Sequence, residues 1–106
     1  MFKVVILLKR KETMSFDDFA KWWLDDHAPL ARTLPGLRRA VFNLVNTGDD
    51  QEDRQYDGIS ELWFDTQSDF THAYETEIGK QVAADSMCNV SKRDRLLVTE
   101  AQIFPL

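Results

Sequence analysis

His27 stands where an apolar helical stripe runs into a proline. In the stretch WWLDDHAPLARTLPGL, Trp22 to Leu37, it follows Trp23 by about one turn, with Asp25 and Asp26 just before it and Pro29 just after. An imidazole titrates near pH 6.5 and can therefore take or give a proton at neutral pH. Pro29 has no N–H for the carbonyl of Asp25 and disfavours helical geometry at Ala28, so the sequence predicts a bend or restart there. Such a break would free a carbonyl and let the ring turn outward into a cavity. His27 could equally be a partly buried core histidine bonded to a backbone carbonyl. Spacing alone supports both readings.

Other polar groups come in pairs of readings too. Glu61 sits in an otherwise apolar segment between Ile59 and Trp63, either at a solvated strand edge or buried with a partner. Asp85, in VAADSMCN, reads first as a helix cap and second as a site carboxylate. Tyr56 and Tyr74 could offer hydroxyls to a ligand or serve as core-edge aromatics, and Trp22 and Trp23 read as core before ligand platform. His72 has only acidic neighbours on a helix surface. No phosphate-cradling glycine loop, nucleophile elbow or His/Cys cluster is present. Asp25–His27 cannot put three side chains on one metal from a regular helix, because adjacent residues point about 100° apart. Neither a metal nor a cofactor is expected.

The elements that must position these groups follow from periodicity. Met1–Leu8 is almost continuously apolar, expected as a strand covered on both faces. Lys9–Thr13 reads as a loop. Ser15 opens a helix as N-cap, with Asp18 in the capping-box position, and Phe16, Phe19, Ala20, Trp23 and His27 share one face. Pro35-Gly36 ends it. Leu37–Asn46 reads as a second strand, and Thr47–Arg54 as an acidic turn. Tyr56–Asp65 reads as a third strand, with Ile59, Glu61 and Trp63 on one face and Ser60, Leu62 and Phe64 on the other. A helix is expected over Thr66–Glu75, a break at Gly79, a helical turn or two over Gln81–Asn89, and a last strand over Arg95–Phe104.

The order β-α-β-β-α-β over residues 1–106 is that of one α+β, ferredoxin-like domain, an antiparallel four-stranded sheet with both helices on one face. Its strands are not cleanly polar on either side, so the uncovered face calls for a partner, and a second copy paired sheet to sheet is the simplest one. A chain of 106 residues, 43% hydrophobic and 29% charged, suits a single folded domain. The net charge of −5 disfavours nucleic acid and anionic membranes as partners. No run is long enough to span a bilayer, and MFKVVILLKRK is not followed by a cleavage-site pattern. With Cys88 the lone cysteine, the cytoplasm is the expected compartment.

Three segments together, FDDFAKWWLDDHAPLARTLPGLRRAVFNLV, YDGISELWFDTQSDF and AADSMCNV, resemble the EthD family of small bacterial proteins. The marks are an aromatic-rich helix running into H-x-P-L, then P-G-L before the second strand, an E-L-W-F strand, and an A-D segment before the last strand. At Met87–Val90 the chain has MCNV where the family usually carries an aromatic. The resemblance implies a dimeric α+β barrel with a pocket in each subunit, bordered by His27, Pro29 and Leu30. The family takes its name from a gene cluster for ether degradation. Its wider superfamily includes cofactor-free monooxygenases and isomerases, and in the related methylmuconolactone methylisomerases a histidine at the motif position of His27 takes part in proton transfer.

The expected activity is thus cofactor-free oxidoreductase or isomerase chemistry on a small hydrophobic or aromatic metabolite. His27 would be the acid or base, with Asp85 or Glu61 orienting it. Trp22, Trp23, Leu30, Trp63 and Tyr74 would line the pocket. The alternative is a non-catalytic carrier that shelters a hydrophobic intermediate for a partner oxygenase. In a third reading the histidine is structural.

Overall fold

In the first strand, β1 (Phe2–Arg10), Val4, Ile6 and Leu8 are buried while the residues between them are half-buried. That alternation has a simple cause: helices cover one face of the sheet, and none of the described residues forms a layer over the other. The structure is a computed structural model that describes residues 1–46 and 54–105. The acidic segment 47–53 lies outside the described residues, and with it the question of whether residues 48–54 gate a pocket.

Ser15 caps α1 (Phe16–Lys21), its hydroxyl accepting from the Asp18 N–H at 3.1 Å. A cap of this kind contributes about 1 kcal/mol. The helix does not then simply bend at Pro29. It widens earlier into a π-helical turn (Trp22–His27), where the Ala28 N–H reaches back to the Trp23 carbonyl, and returns to α geometry in α2 (Ala28–Ala31). Pro29 cannot donate the next bond of either ladder, which explains why the irregularity lies here.

Next come β2 (Leu37–Leu44), β3 (Gly58–Phe64), α3 (Gln67–Glu75), α4 (Glu77–Asn89) and β4 (Val90–Val98). All pairings are antiparallel and the sheet order is β2-β3-β1-β4. This is a ferredoxin-like α+β fold. Register assigns the faces. Val4, Ile6 and Leu8 lie opposite Leu62, Ser60 and Gly58 and point to the helices, whereas Val5 opposite Glu61 and Leu7 opposite Ile59 point away. Under the helices, Trp23 is fully buried and stacks on Phe42 with ring centres 4.5 Å apart. Gly58 makes room for it, since a Cβ there would stand 2.7 Å from the Trp23 ring.

Three expectations need correction. Gly79 is no break. The break is at Thr76, whose extended backbone ends α3 and whose hydroxyl caps α4 by accepting from the Gly79 N–H. Gly79 lies inside α4 because the two helices nearly touch there, and a Cβ would come within 2.1 Å of the Ala73 carbonyl oxygen. The short turn expected over Gln81–Asn89 is therefore the end of a 13-residue helix. Finally, β4 ends at Val98, opposite Lys3 near the start of β1. Beyond it, apolar Ile103 and Phe104 lie outside any strand and are exposed.

Candidate active site

The π turn decides which side chains share a face. In an α-helix, residues five apart point about 140° away from each other. The widened turn brings Trp22 and His27 side by side, their ring centres 5.0 Å apart. Both then reach the same carboxylate. His27 Nδ1 lies 2.8 Å from Asp85 Oδ2, and the Trp22 indole N–H donates to the two carboxylate oxygens at 3.2 and 3.4 Å. Asp85 is not a cap. It projects from the body of α4 toward the π turn.

That arrangement fixes the tautomer of a neutral ring. A carboxylate accepts, so Nδ1 carries the proton and Nε2 keeps its lone pair. Nε2 faces Ser86, whose hydroxyl lies 3.4 Å away, at the limit of a hydrogen bond. His27 is 4% exposed. Burial lowers its pKa from 6.5, a shift opposed by Asp85 and reinforced by the Arg93 charge. The ring is therefore neutral at pH 7, a base with its accepting nitrogen pointing inward.

Among the described residues, one space adjoins His27 and a second lies beyond it. A largely enclosed cavity of about 20 Å³ is lined by His27, Ser86, Trp23, Tyr74 and Arg93 on an apolar floor that includes Ile6 and Leu62. It has room for one water or one substituent oxygen, not for a ring. An open groove of about 550 Å³, within the size range of ligand pockets, runs between α2 and the edge strand β2. Ala31 and Phe42 line both spaces and form the wall between them.

Of the site residues expected from the sequence, His27, Asp85, Trp22, Trp23 and Tyr74 converge here. Leu30 packs against the core cluster without lining either space. Glu61 and Trp63 are not brought to His27. They lie on the far face of the sheet, opposite Val5 and Lys3 of β1. There Lys3 bonds Glu61 at 2.8 Å and holds its carboxyl below the usual range, helped by Asn43. Trp63 donates its indole N–H to Glu100 and packs beneath Lys3 and Arg39. Tyr56 bonds Asp94, and His72 is exposed on α3. Ser86 and Arg93 were missed as lining residues. The available signal was register: Arg93 lies opposite Leu8, so it faces the helices. Among the described residues, no group of three His, Cys, Asp or Glu side chains converges as a metal would need, and no helix is long and apolar enough to cross a membrane.

Similarity to known proteins agrees with this architecture. An EthD family protein of Bacillus halodurans superposes with a TM-score of 0.79 at 24% identity, covering 95% of this chain and all of that one. A dimeric ferredoxin-like protein of unknown function from Thermobifida fusca gives 0.73 at 14% identity, over 93% of this chain and 90% of the other. SnoaB, a cofactor-independent oxygenase from Streptomyces nogalater, gives 0.70 at 15% identity, over 99% and 97%. At these identities the superpositions speak for the fold alone. No curated protein matches the sequence itself. The EthD domain model, however, matches residues 11–89, a span that holds the π turn, the edge-strand wall and the whole of α4; the chain belongs to the EthD family.

Proposed function

We propose that the protein is a cofactor-independent acid–base catalyst acting on a small hydrophobic or aromatic metabolite, with His27 as the catalytic residue. The observation that carries this reading is the neutral His27 ring, held by Asp85 through Nδ1 with Nε2 turned to the cavity. In that position Nε2 takes a proton from a C–H beside a carbonyl or from a phenolic O–H, and the electron pair stays on the substrate as enolate or phenolate. Reprotonation at a second carbon gives isomerisation. Electron loss to dioxygen, the oxidant, gives oxygenation. Asp85 is a positioning residue that fixes the tautomer and supports the imidazolium once formed. Trp22 packs on the His27 ring and shares Asp85 with it, Trp23 and Tyr74 line the cavity, and Phe42 separates the larger groove from the base.

The working unit is a homodimer in the cytoplasm. The outer sheet face carries a half-buried apolar row of Val5, Leu7, Val41 and Ile59, and Leu96 beside it is half exposed. Two such faces packed together would form a dimeric α+β barrel with one His27 site per subunit. The Thermobifida neighbour, described as dimeric, supports this assembly. One observation favours a carrier for a partner oxygenase instead: the ligand-sized groove lies outside Phe42, and its lining includes no histidine and no carboxylate.

The test is a panel of enolisable ketones and hydroxylated aromatics, followed for hydrogen–deuterium exchange, isomerisation and oxygen uptake with wild type and His27→Gln. At least one compound is expected to turn over, with a loss of about 10²–10⁴-fold in the variant and little change in unfolding midpoint. Compounds that bind both proteins equally and emerge unchanged would establish the carrier.

A further inference from the structure

The buried polar atoms around the cavity do not all have partners. Trp23 Nε1 and Arg93 Nε are buried without a hydrogen bond, and both residues line the 20 Å³ space beside His27. Such atoms are uncommon in folded proteins because each forfeits its solvation, at a cost that an acceptor would recover. Arg93 is the more demanding of the two. Its charge is fixed at any physiological pH, it makes no ion pair with a described residue, and the titratable groups that bear on it are Arg95 and the neutral Tyr74 phenol. Arg95 in turn lies over the Phe70 ring. Leu8, its partner in register, holds Arg93 on the helix side of the sheet.

We infer that Arg93, with Trp23 Nε1 beside it, forms a subsite for an anionic oxygen on an otherwise apolar ligand. Three features converge on that chemistry. Both orphan atoms are donors, so the missing group is an acceptor. One of them belongs to a partly buried cation that pairs with no carboxylate of the described residues, so the acceptor is negatively charged. The cavity takes a single oxygen, so a substituent oxygen enters it while the ring stays toward Phe42 and the groove. Tyr74 adds a third donor, since burial raises its pKa and keeps the phenol protonated. The groove agrees in sign. In a chain of net charge −5, its lining includes Arg32, Arg38 and Arg39 and no acidic residue.

This inference deepens the acid–base reading, because an oxygen held by Arg93 beside His27 Nε2 is where an enolate or phenolate would carry its charge. It can nonetheless be tested without turnover. The probes are 1-naphthoate, 1-naphthamide and 1-naphthol, followed by calorimetry and by the NMR signal of the Arg93 Nε–H. Naphthoate is expected to bind wild type about tenfold to a hundredfold more tightly than naphthamide and to shift the Nε–H resonance. A bound naphthol with the absorption of its phenolate would extend the subsite from carboxylates to phenols and enols. Naphthol bound as the neutral phenol would restrict it to carboxylates. Arg93→Gln is expected to erase the preference for naphthoate while leaving naphthamide affinity within about twofold. Equal binding of the pair to wild type overturns the inference, as does a preference that survives Arg93→Gln. If that variant does not fold, the wild-type preference and Nε–H shift decide the matter. In His27→Gln the anion preference is expected to persist, so a failure of the catalytic role and a failure of the subsite give different results.

Discussion

Asp57 and Asp85 show two uses of a carboxylate drawn into one small domain. Asp57 is wholly buried and saturated: it accepts from the Arg10 backbone N–H at 2.8 Å, pairs with the Arg10 guanidinium, and has Lys9 Nζ at 3.6 Å. Its backbone donates to Leu8 and accepts from Val45, tying the end of β1 to the start of β3. Asp85 is a third exposed, and its partners are an indole and an imidazole. The difference lies in the partners. A permanent cation makes a joint with one stable state. A titratable ring makes a joint with two, and one of its nitrogens remains available to something else.

Removing Asp57 is expected to have the larger effect. Asp57→Ala leaves the mostly buried Arg10 guanidinium without its carboxylate, and urea unfolding should show a loss of about 3–5 kcal/mol. A variant as stable as wild type would erase the contrast, since Asp57 would then be no joint at all. Asp85→Asn should cost less in stability and more in chemistry. Asp85 raises the His27 pKa against the effect of burial, so NMR titration should show that pKa falling further, and any His27-dependent turnover should fall with it. An unchanged titration would mean that the 2.8 Å contact does not hold the ring in solution. The smallest effect is in pH. The His27 pKa is lowered in the folded state, so below about pH 6.5 the unfolded chain takes up the proton first. The stabilising contribution is complete above that pH and is lost as pH falls through the folded pKa. His27→Gln should flatten this part of the stability profile, and a profile identical to wild type would assign the acid sensitivity to other groups.

The sequence made the element order readable, because strand and helix periodicities differ and Ser15 and Pro35-Gly36 mark the ends of the first helical region. His27 could be singled out because a proline beside an apolar stripe is a local signal. The partner was not local. Asp85 lies 58 positions away on another helix, and within its own segment it looked like a cap. Glu61 shows a different limit. Alternation separated Ile59, Glu61 and Trp63 from Ser60, Leu62 and Phe64, but both sets are rich in large apolar side chains. Which set the helices cover is decided by packing, not by period. Arg93 was hidden for the opposite reason, since in SKRDR it looks like one more solvated charge. Only its pairing with Leu8 turns it inward.

The π turn has a consequence for how such a site can be gained or lost. Its outward residues, Leu24, Asp25 and Asp26, are exposed, and the turn holds one residue more than an α ladder requires. Deleting a single codon there would let the ladder close regularly while the segments on either side kept their places against the sheet. Trp22 and His27 would no longer stand in a stack over Asp85, yet the core would be almost untouched. Among descendants of one ancestral gene, then, a copy of this domain that has the Trp22–His27–Asp85 cluster and a copy that lacks it can stand one in-frame deletion apart, with the same fold in both.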